Sequence, residues 1–170
     1  MITARTTSVD DTRALAAELA ALAVPGDLIL LAGDLGTGKT AFVQGLARGL
    51  GVKERVTSPA FVLARPYAGR VPLLHLDVYR LDHLQELHDL GITELLDEGG
   101  ITVIEWGDVV APALPADFLE VRLTVDETED DDERVLTFRA VGPRWPARTA
   151  ALRRAVAPWS DGVAKGGPPC

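Results

Sequence analysis

Cysteine is almost missing from this chain: Cys170, the last residue, stands alone. No disulfide can form within the chain, which suits a cytoplasmic protein. Lysine is nearly as scarce, with Lys39, Lys53 and Lys165 set against fourteen arginines. No apolar run approaches the roughly 18 residues that a membrane span needs. The opening residues (MITARTTSVDDTR) hold no apolar stretch of the kind a secretory signal carries. A broad basic face is lacking too. Acidic residues outnumber basic ones 25 to 17, for a net charge of −8 and a pI near 4.8. A general electrostatic grip on nucleic acid needs the opposite sign, although a local basic patch or a partner could still supply one. Internal repeats are absent. What is present is 47% hydrophobic residues in 170, enough for one domain with a proper core.

The scarce lysine is spent at one telling place. Gly33-Asp34-Leu35-Gly36-Thr37-Gly38-Lys39-Thr40 reads G-x-x-x-x-G-K-T, the Walker A or P-loop pattern. Asp27 to Ala32 (DLILLA) suits a buried strand, and Phe42, Val43, Leu46, Ala47 and Leu50 recur at helical spacing. A glycine-rich turn therefore joins a strand end to a helix start. Its backbone N–H groups and the helix N-terminus form an anion site. In that arrangement Leu35, Gly36, Thr37, Gly38, Lys39 and Thr40 bind nucleotide phosphates, and the Thr40 hydroxyl is placed for Mg²⁺. No N/T-K-x-D element follows, since Lys53 precedes Glu54-Arg55 and Lys165 precedes Gly166-Gly167. Guanine selectivity has no support, and ATP is the default.

The rest of the chain reads as alternating strands and helices. Ile2 to Thr7 is a candidate edge strand. Ser8 or Asp10 can cap a helix over about Asp11–Ala23, ended by Pro25-Gly26. Val62–Tyr67 and Pro72–Tyr79 form a candidate hairpin around Ala68-Gly69. In the second of these strands Leu74, Leu76 and Val78 share one face, and His75, Asp77 and Tyr79 the other. Helical spacing returns over Leu81–Leu90, with a short helix near Thr93–Asp97. Ile101–Glu105 is a buried strand. Phe118–Val125 and Arg134–Val141 read as a second hairpin, joined by an acidic stretch, Asp126–Glu133, that is best explained as a solvated turn. The expected fold is α/β: a three-layer P-loop NTPase-like domain with a mixed, partly parallel central sheet, the two hairpins lying beside the parallel core. Residues 1–142 are expected to be a single P-loop ATPase domain. Residues 143–170 read as an extension, with a basic amphipathic helix over Arg148–Ala157 and a disordered end from Asp161.

A P-loop protein also needs a carboxylate linked to Mg²⁺ and a group that orients the attacking water or the acceptor. In open α/β sheets such groups sit at the carboxyl ends of strands. Glu105 and Asp77 meet that description, and with Lys39 they are the candidate catalytic residues. Glu105 is favoured as the Mg²⁺-linked carboxylate, because its apolar run makes burial without a partner costly. Asp77 is favoured as the catalytic or water-orienting group, with a salt bridge to Arg80 as the plain alternative. Thr57 and Ser58, before Pro59, form a candidate switch loop or an ordinary Ser-Pro turn. His75 reads more simply as a hydrogen-bonding core residue than as a catalyst.

The series GDLGTGKT, TSPAF, HLDVYRL, ELHDLGI and IEWGD, then LP before a strand, resembles the TsaE family over about Asp10 to Val141. The resemblance implies a compact P-loop ATPase required for threonylcarbamoyladenosine formation in tRNA. Such a protein acts with the TsaD and TsaB proteins, meets tRNA only through that complex, and is not itself the transferase. It further implies Mg²⁺ on Thr40 and Glu105, an essential aspartate at Asp77, Trp106 beside the nucleotide or a partner, and Val9 near the adenine. Arg80 is a candidate for acting in cis on the phosphates. Ala60 departs from the family's usual Thr in that segment, which passes any hydroxyl role to Thr57 or Ser58. Two other readings share the P-loop: a small-molecule kinase, though no arginine-rich lid lies between Arg80 and Ile101, and a nucleotide-gated binding module in which hydrolysis is incidental.

Overall fold

A computed structural model describes residues 1–59, 64–79, 84–89, 91–126 and 132–160. Strand β1 (Ile2–Thr6) leads into α1 (Val9–Ala20), whose cap is Ser8: its hydroxyl accepts the Asp11 N–H at 3.0 Å. Then come β2 (Leu28–Ala32), the P-loop and α2 (Lys39–Gly49). Strands β3 (Ala64–Tyr67) and β4 (Leu73–Asp77) pair antiparallel. Two short helices, α3 (Leu84–Asp89) and α4 (Ile92–Leu96), precede β5 (Ile101–Glu105), and a single turn, α5 (Gly107–Val110), follows it. The hairpin β6 (Phe118–Val125) and β7 (Arg134–Val141) has the predicted bounds, and α6 (Thr149–Val156) closes the described chain. Among the described residues no helix is long and apolar enough to cross a membrane.

The seven strands make one mixed sheet, ordered β1-β7-β6-β2-β5-β4-β3. The α/β, three-layer expectation is met. Along β2 the side chains alternate between two cores: Ile29 and Leu31 pack with α1, α2 and α6, while Leu28 and Leu30 pack with Leu87, Ile92 and Val110 on the opposite face. The placement of the hairpins differs from expectation. Each donates one strand to the parallel centre, because β4 runs parallel to β5 and β6 parallel to β2. Burial explains this. Four of the five residues in β4 and the first four of β6 are buried, which suits strands covered on both faces. Only β3, β7 and β1 are antiparallel additions.

Helices α1 and α2 cross closely on the larger core. A Cβ built on Gly45 would lie 2.2 Å from the Arg13 carbonyl oxygen, backbone against backbone. Gly45→Ala is therefore expected to force the helices apart and cost about 1–3 kcal/mol, read as a lower urea midpoint. An unchanged midpoint would show that the crossing yields without cost.

Residues 143–160 pack on the same core, and the disordered end expected from Asp161 lies outside the described residues. Trp145 is fully buried, and Leu152 and Val156 join the cluster beneath α1. The predicted basic helix is present as Thr149–Val156, with Arg153 and Arg154 exposed. Arg148 has a different job. It forms a double hydrogen bond, 2.7 Å for each nitrogen, to Asp27 just before β2.

Candidate functional site

The P-loop is shaped by glycines that side chains could not replace. Gly33 has φ +138°, and a Cβ there would meet the Leu123 carbonyl oxygen at 2.3 Å. Gly38 caps α2 at φ +102° without any side-chain acceptor. The first N–H groups of an eleven-residue helix thus open toward a cleft rather than onto a cap. The cleft holds about 450 Å³ and is lined by Leu35, Gly36, Gly38, Lys39, Thr40, Ala41, Ser58, Asp77, Tyr79, Glu105 and Trp106.

Lys39 is 5% exposed, and its Nζ donates to the carbonyls of Gly33 and Asp34, each at 2.7 Å. Trp106 lies over it, with 4.0 Å from Nζ to the ring centroid. Burial pushes the Lys39 ammonium below its ordinary pKa, against the opposing pull of the Glu105, Asp77 and Asp34 carboxylates. Trp106 takes this position with a backbone φ of 62°, the one positive φ outside glycine among the described residues. Such a conformation costs about 1–2 kcal/mol, and its place beside the lysine makes the turn a candidate part of the site. Tyr79 continues the aromatic surface, its ring centroid 4.9 Å from that of Trp106.

Both predicted carboxylates sit where strand ends place them. Asp77 closes β4, Glu105 closes β5, and the two are register partners across the parallel pair. Each is nearly buried, at 6% and 4% exposure. The Thr40 hydroxyl donates to Glu105 Oε1 at 2.8 Å, so α2 and β5 are tied at the mouth of the P-loop. Asp77 accepts from the Ser58 hydroxyl and from the Tyr79 N–H, both at 3.0 Å. Two hard oxygen donors, one hydroxyl and one carboxylate, fit Mg²⁺, which binds through one or two protein groups and keeps water or phosphate for the rest.

The remaining predicted residues divide. Leu35 is 77% exposed on the rim of the cleft, and Thr37 is buried with its hydroxyl donating to the Asp34 carbonyl at 2.9 Å. Val9, first residue of α1, lines a smaller cavity of about 70 Å³ behind the P-loop with Thr12, Gly36 and Arg134. Ser58 lines the main cleft. Thr57 turns away: its N–H donates to the Tyr67 hydroxyl and its own hydroxyl accepts from Arg65. Arg80 and the Ala60 departure lie outside the described residues.

Two contributors, Arg134 and Tyr79, escaped the sequence reading. Arg134 donates from Nε to the Thr37 carbonyl at 3.1 Å and from Nη2 to the Gly36 carbonyl at 3.4 Å. An antiparallel strand starts at the edge where parallel strands end, so the first residue of β7 reaches the P-loop; only the sheet order reveals this. Tyr79 could have been found, because it stands two residues past Asp77 at a strand exit. His75 is the hydrogen-bonding core residue expected from sequence, fully buried with Nε2 2.8 Å from Glu105 Oε1.

The model of the family described as "Threonylcarbamoyl adenosine biosynthesis protein TsaE" matches residues 6–136. The chain is 41% identical over 151 residues to the tRNA threonylcarbamoyladenosine biosynthesis protein TsaE of Bacillus subtilis, covering 88% of this chain and 92% of that one. It is 42% identical over 139 residues to the same-named protein of Streptomyces coelicolor, covering 78% and 93%. In structure it is similar to YdiB of Bacillus subtilis, with a TM-score of 0.77 and 37% identity over 90% of this chain and 94% of that one.

Proposed function

This chain belongs to the TsaE family, and on that premise we propose that it is a cytoplasmic P-loop ATPase required for threonylcarbamoyladenosine formation in tRNA. It binds and hydrolyses Mg-ATP and acts with the TsaD and TsaB proteins, meeting tRNA only through them. The observation that carries the ATPase reading is the bond between the Thr40 hydroxyl and Glu105 at the mouth of a P-loop whose helix N-terminus is uncapped.

The division of labour follows from the geometry. The N–H groups of Gly36 to Thr40 receive the phosphates. Lys39 exchanges two carbonyl acceptors for phosphate oxygens, a short move for an ammonium already inside the cleft. Thr40 and Glu105 are the residues that would hold Mg²⁺, which when bound would neutralise charge on the phosphate oxygens. Asp77, fixed by Ser58 and the Tyr79 N–H, orients the attacking water and accepts its proton. Val9 and the cavity behind the P-loop lie on the adenine side.

None of the described residues lining the cleft is an arginine, and Arg80, the cis candidate, lies outside the described residues; the mode proposed is stimulation in trans by the partners. Turnover of Mg-ATP should be slow alone and rise at least about tenfold with TsaD and TsaB. Equal rates with and without the partners would overturn the partner-driven reading.

The Ser58–Asp77 bond favours one second reading, a nucleotide-gated loop whose state signals to the partners. Asp77→Asn separates the two. It should lower turnover about 100-fold and leave nucleotide affinity within about threefold. If that variant still supports tRNA modification at the normal rate, hydrolysis is dispensable and the gate is the function.

A further inference from the structure

His75 lies in the middle of β4, fully buried, paired with Val103 in β5 and Arg65 in β3. A strand covered on both faces has no use for a polar ring there, since an apolar side chain would pack without desolvating two nitrogens. Among the described residues only one nitrogen has a partner: Nε2 is 2.8 Å from Glu105 Oε1, whereas Nδ1 is buried with none. The strand register makes the first contact possible. Asp77 is opposite Glu105, so His75, two residues earlier on the same face, is the diagonal neighbour of Glu105.

A carboxylate oxygen is an acceptor, so Nε2 is the donor in the bond to Glu105, and no acceptor among the described residues faces Nδ1. The Oε1 atom of Glu105 therefore receives two hydrogen bonds, from His75 behind and from Thr40 in front, each 2.8 Å long. Held at both sides, the carboxylate cannot swing on its side chain, and its other oxygen is left for a ligand in the cleft.

We propose that His75 is a positioning residue: donating from Nε2, it fixes the Glu105 carboxylate in the orientation that receives Mg²⁺ with Thr40. The inference rests on the Mg²⁺ reading of Thr40 and Glu105 given above. Outer partners of this kind typically change metal affinity about 10- to 100-fold when removed.

The test compares wild type, His75→Leu and His75→Gln in the full chain, using a fluorescent ADP analogue as probe, with Mg²⁺ and with EDTA. In wild type Mg²⁺ should tighten binding. In His75→Leu that gain should shrink about tenfold or more, while affinity in EDTA stays within about twofold. His75→Gln, which keeps an N–H donor, should recover most of the gain. An equal Mg²⁺ gain in His75→Leu and wild type overturns the proposal and leaves the Mg²⁺ reading standing. No Mg²⁺ gain in wild type itself overturns the Mg²⁺ reading and this inference with it. If His75→Leu does not fold, nitrogen NMR on the wild type decides. The expected result is an Nε2 that carries a hydrogen and whose signal shifts when Mg²⁺ is added to the ADP-saturated protein. An Nε2 without a hydrogen, or a signal that Mg²⁺ leaves in place, overturns the proposal.

Discussion

Lys39→Ala is expected to lower Mg-ATP turnover by about 10³-fold, at the upper end for loss of one preorganised donor, and to weaken nucleotide binding as well. Lys39 is the one cation among the described residues that line the cleft, and Asp77 and Glu105 line it too. Without the ammonium, incoming phosphates meet carboxylates and no side-chain counter-charge. The lysine is also prepaid in position: two carbonyls at 2.7 Å and the Trp106 ring hold it inside the cleft before nucleotide arrives. Lys39→Arg should rescue little, because the planar guanidinium is larger than the slot between the P-loop carbonyls and the indole. The check is single-turnover hydrolysis together with binding of a fluorescent nucleotide. Activity within tenfold of wild type would mean that the P-loop is not the reaction site.

The same lysine carries a pH dependence whose sign is fixed. Burial lowers its folded-state pKa below the ordinary 10.5. Between the two values the unfolded chain binds more protons, so stability without nucleotide rises with pH across that alkaline window. Nucleotide binding runs the other way, because the phosphates favour the ammonium and affinity falls as Lys39 deprotonates. Thermal melts with and without ADP across that window should therefore converge as pH rises.

The parts of this site that could be read from sequence are those where chemistry is local. The P-loop is eight consecutive residues, and Glu105 and Asp77 announce themselves as carboxylates ending apolar runs. The bounds of β6 and β7 are legible as two apolar-rich runs on either side of an acidic connection. What stayed hidden depends on which strand lies beside which. His75 is legible as a hydrogen-bonding core residue, but its partner is not: only the pairing of β4 with β5 makes Glu105 its diagonal neighbour. Arg134 is remote from Gly36 in sequence and adjacent only because β7 starts at the edge where β2 ends. The extension after Gly142 reads as a basic amphipathic helix, and that helix is present, but the sequence does not say where its apolar face goes. Leu152 and Val156, one turn apart, pack with Trp145 on the larger core.

That extension leads to the other large expected effect. Arg148→Ala should destabilise the protein by about 3 kcal/mol or more, the range for stripping one partner from a buried ion pair. For a chain of this size that is a fall in Tm of about 6–12 °C. Asp27 is 1% exposed, and both of its carboxylate oxygens are bonded to Arg148 at 2.7 Å. Arg148 also donates to the Leu22 carbonyl at 2.8 Å and stacks over the Trp145 ring at 4.0 Å. Alanine would leave a buried carboxylate with the Val24 N–H and the more distant Arg144, 3.8 Å away. The neighbouring arginine keeps the cost toward the lower end. Removing the charge at both ends tests the cause. In the double variant Asp27→Asn with Arg148→Met the uncompensated charge is gone, so a sizeable part of the stability should return. If the double variant is no better than the sum of the single ones, lost packing on Trp145 rather than a stranded charge is the reason. The consequence reaches the cleft, because the Asp27 carbonyl accepts the Thr102 N–H at 3.0 Å and so ties the entrance of β2 to β5. The strands that deliver the P-loop and Glu105 thus share an anchor held by Arg148, a residue beyond the 6–136 segment that the family model matches. Ending the chain at Gly142 should cost more than Arg148→Ala, since it also removes three buried apolar side chains, and it should weaken nucleotide binding without touching a single residue of the cleft.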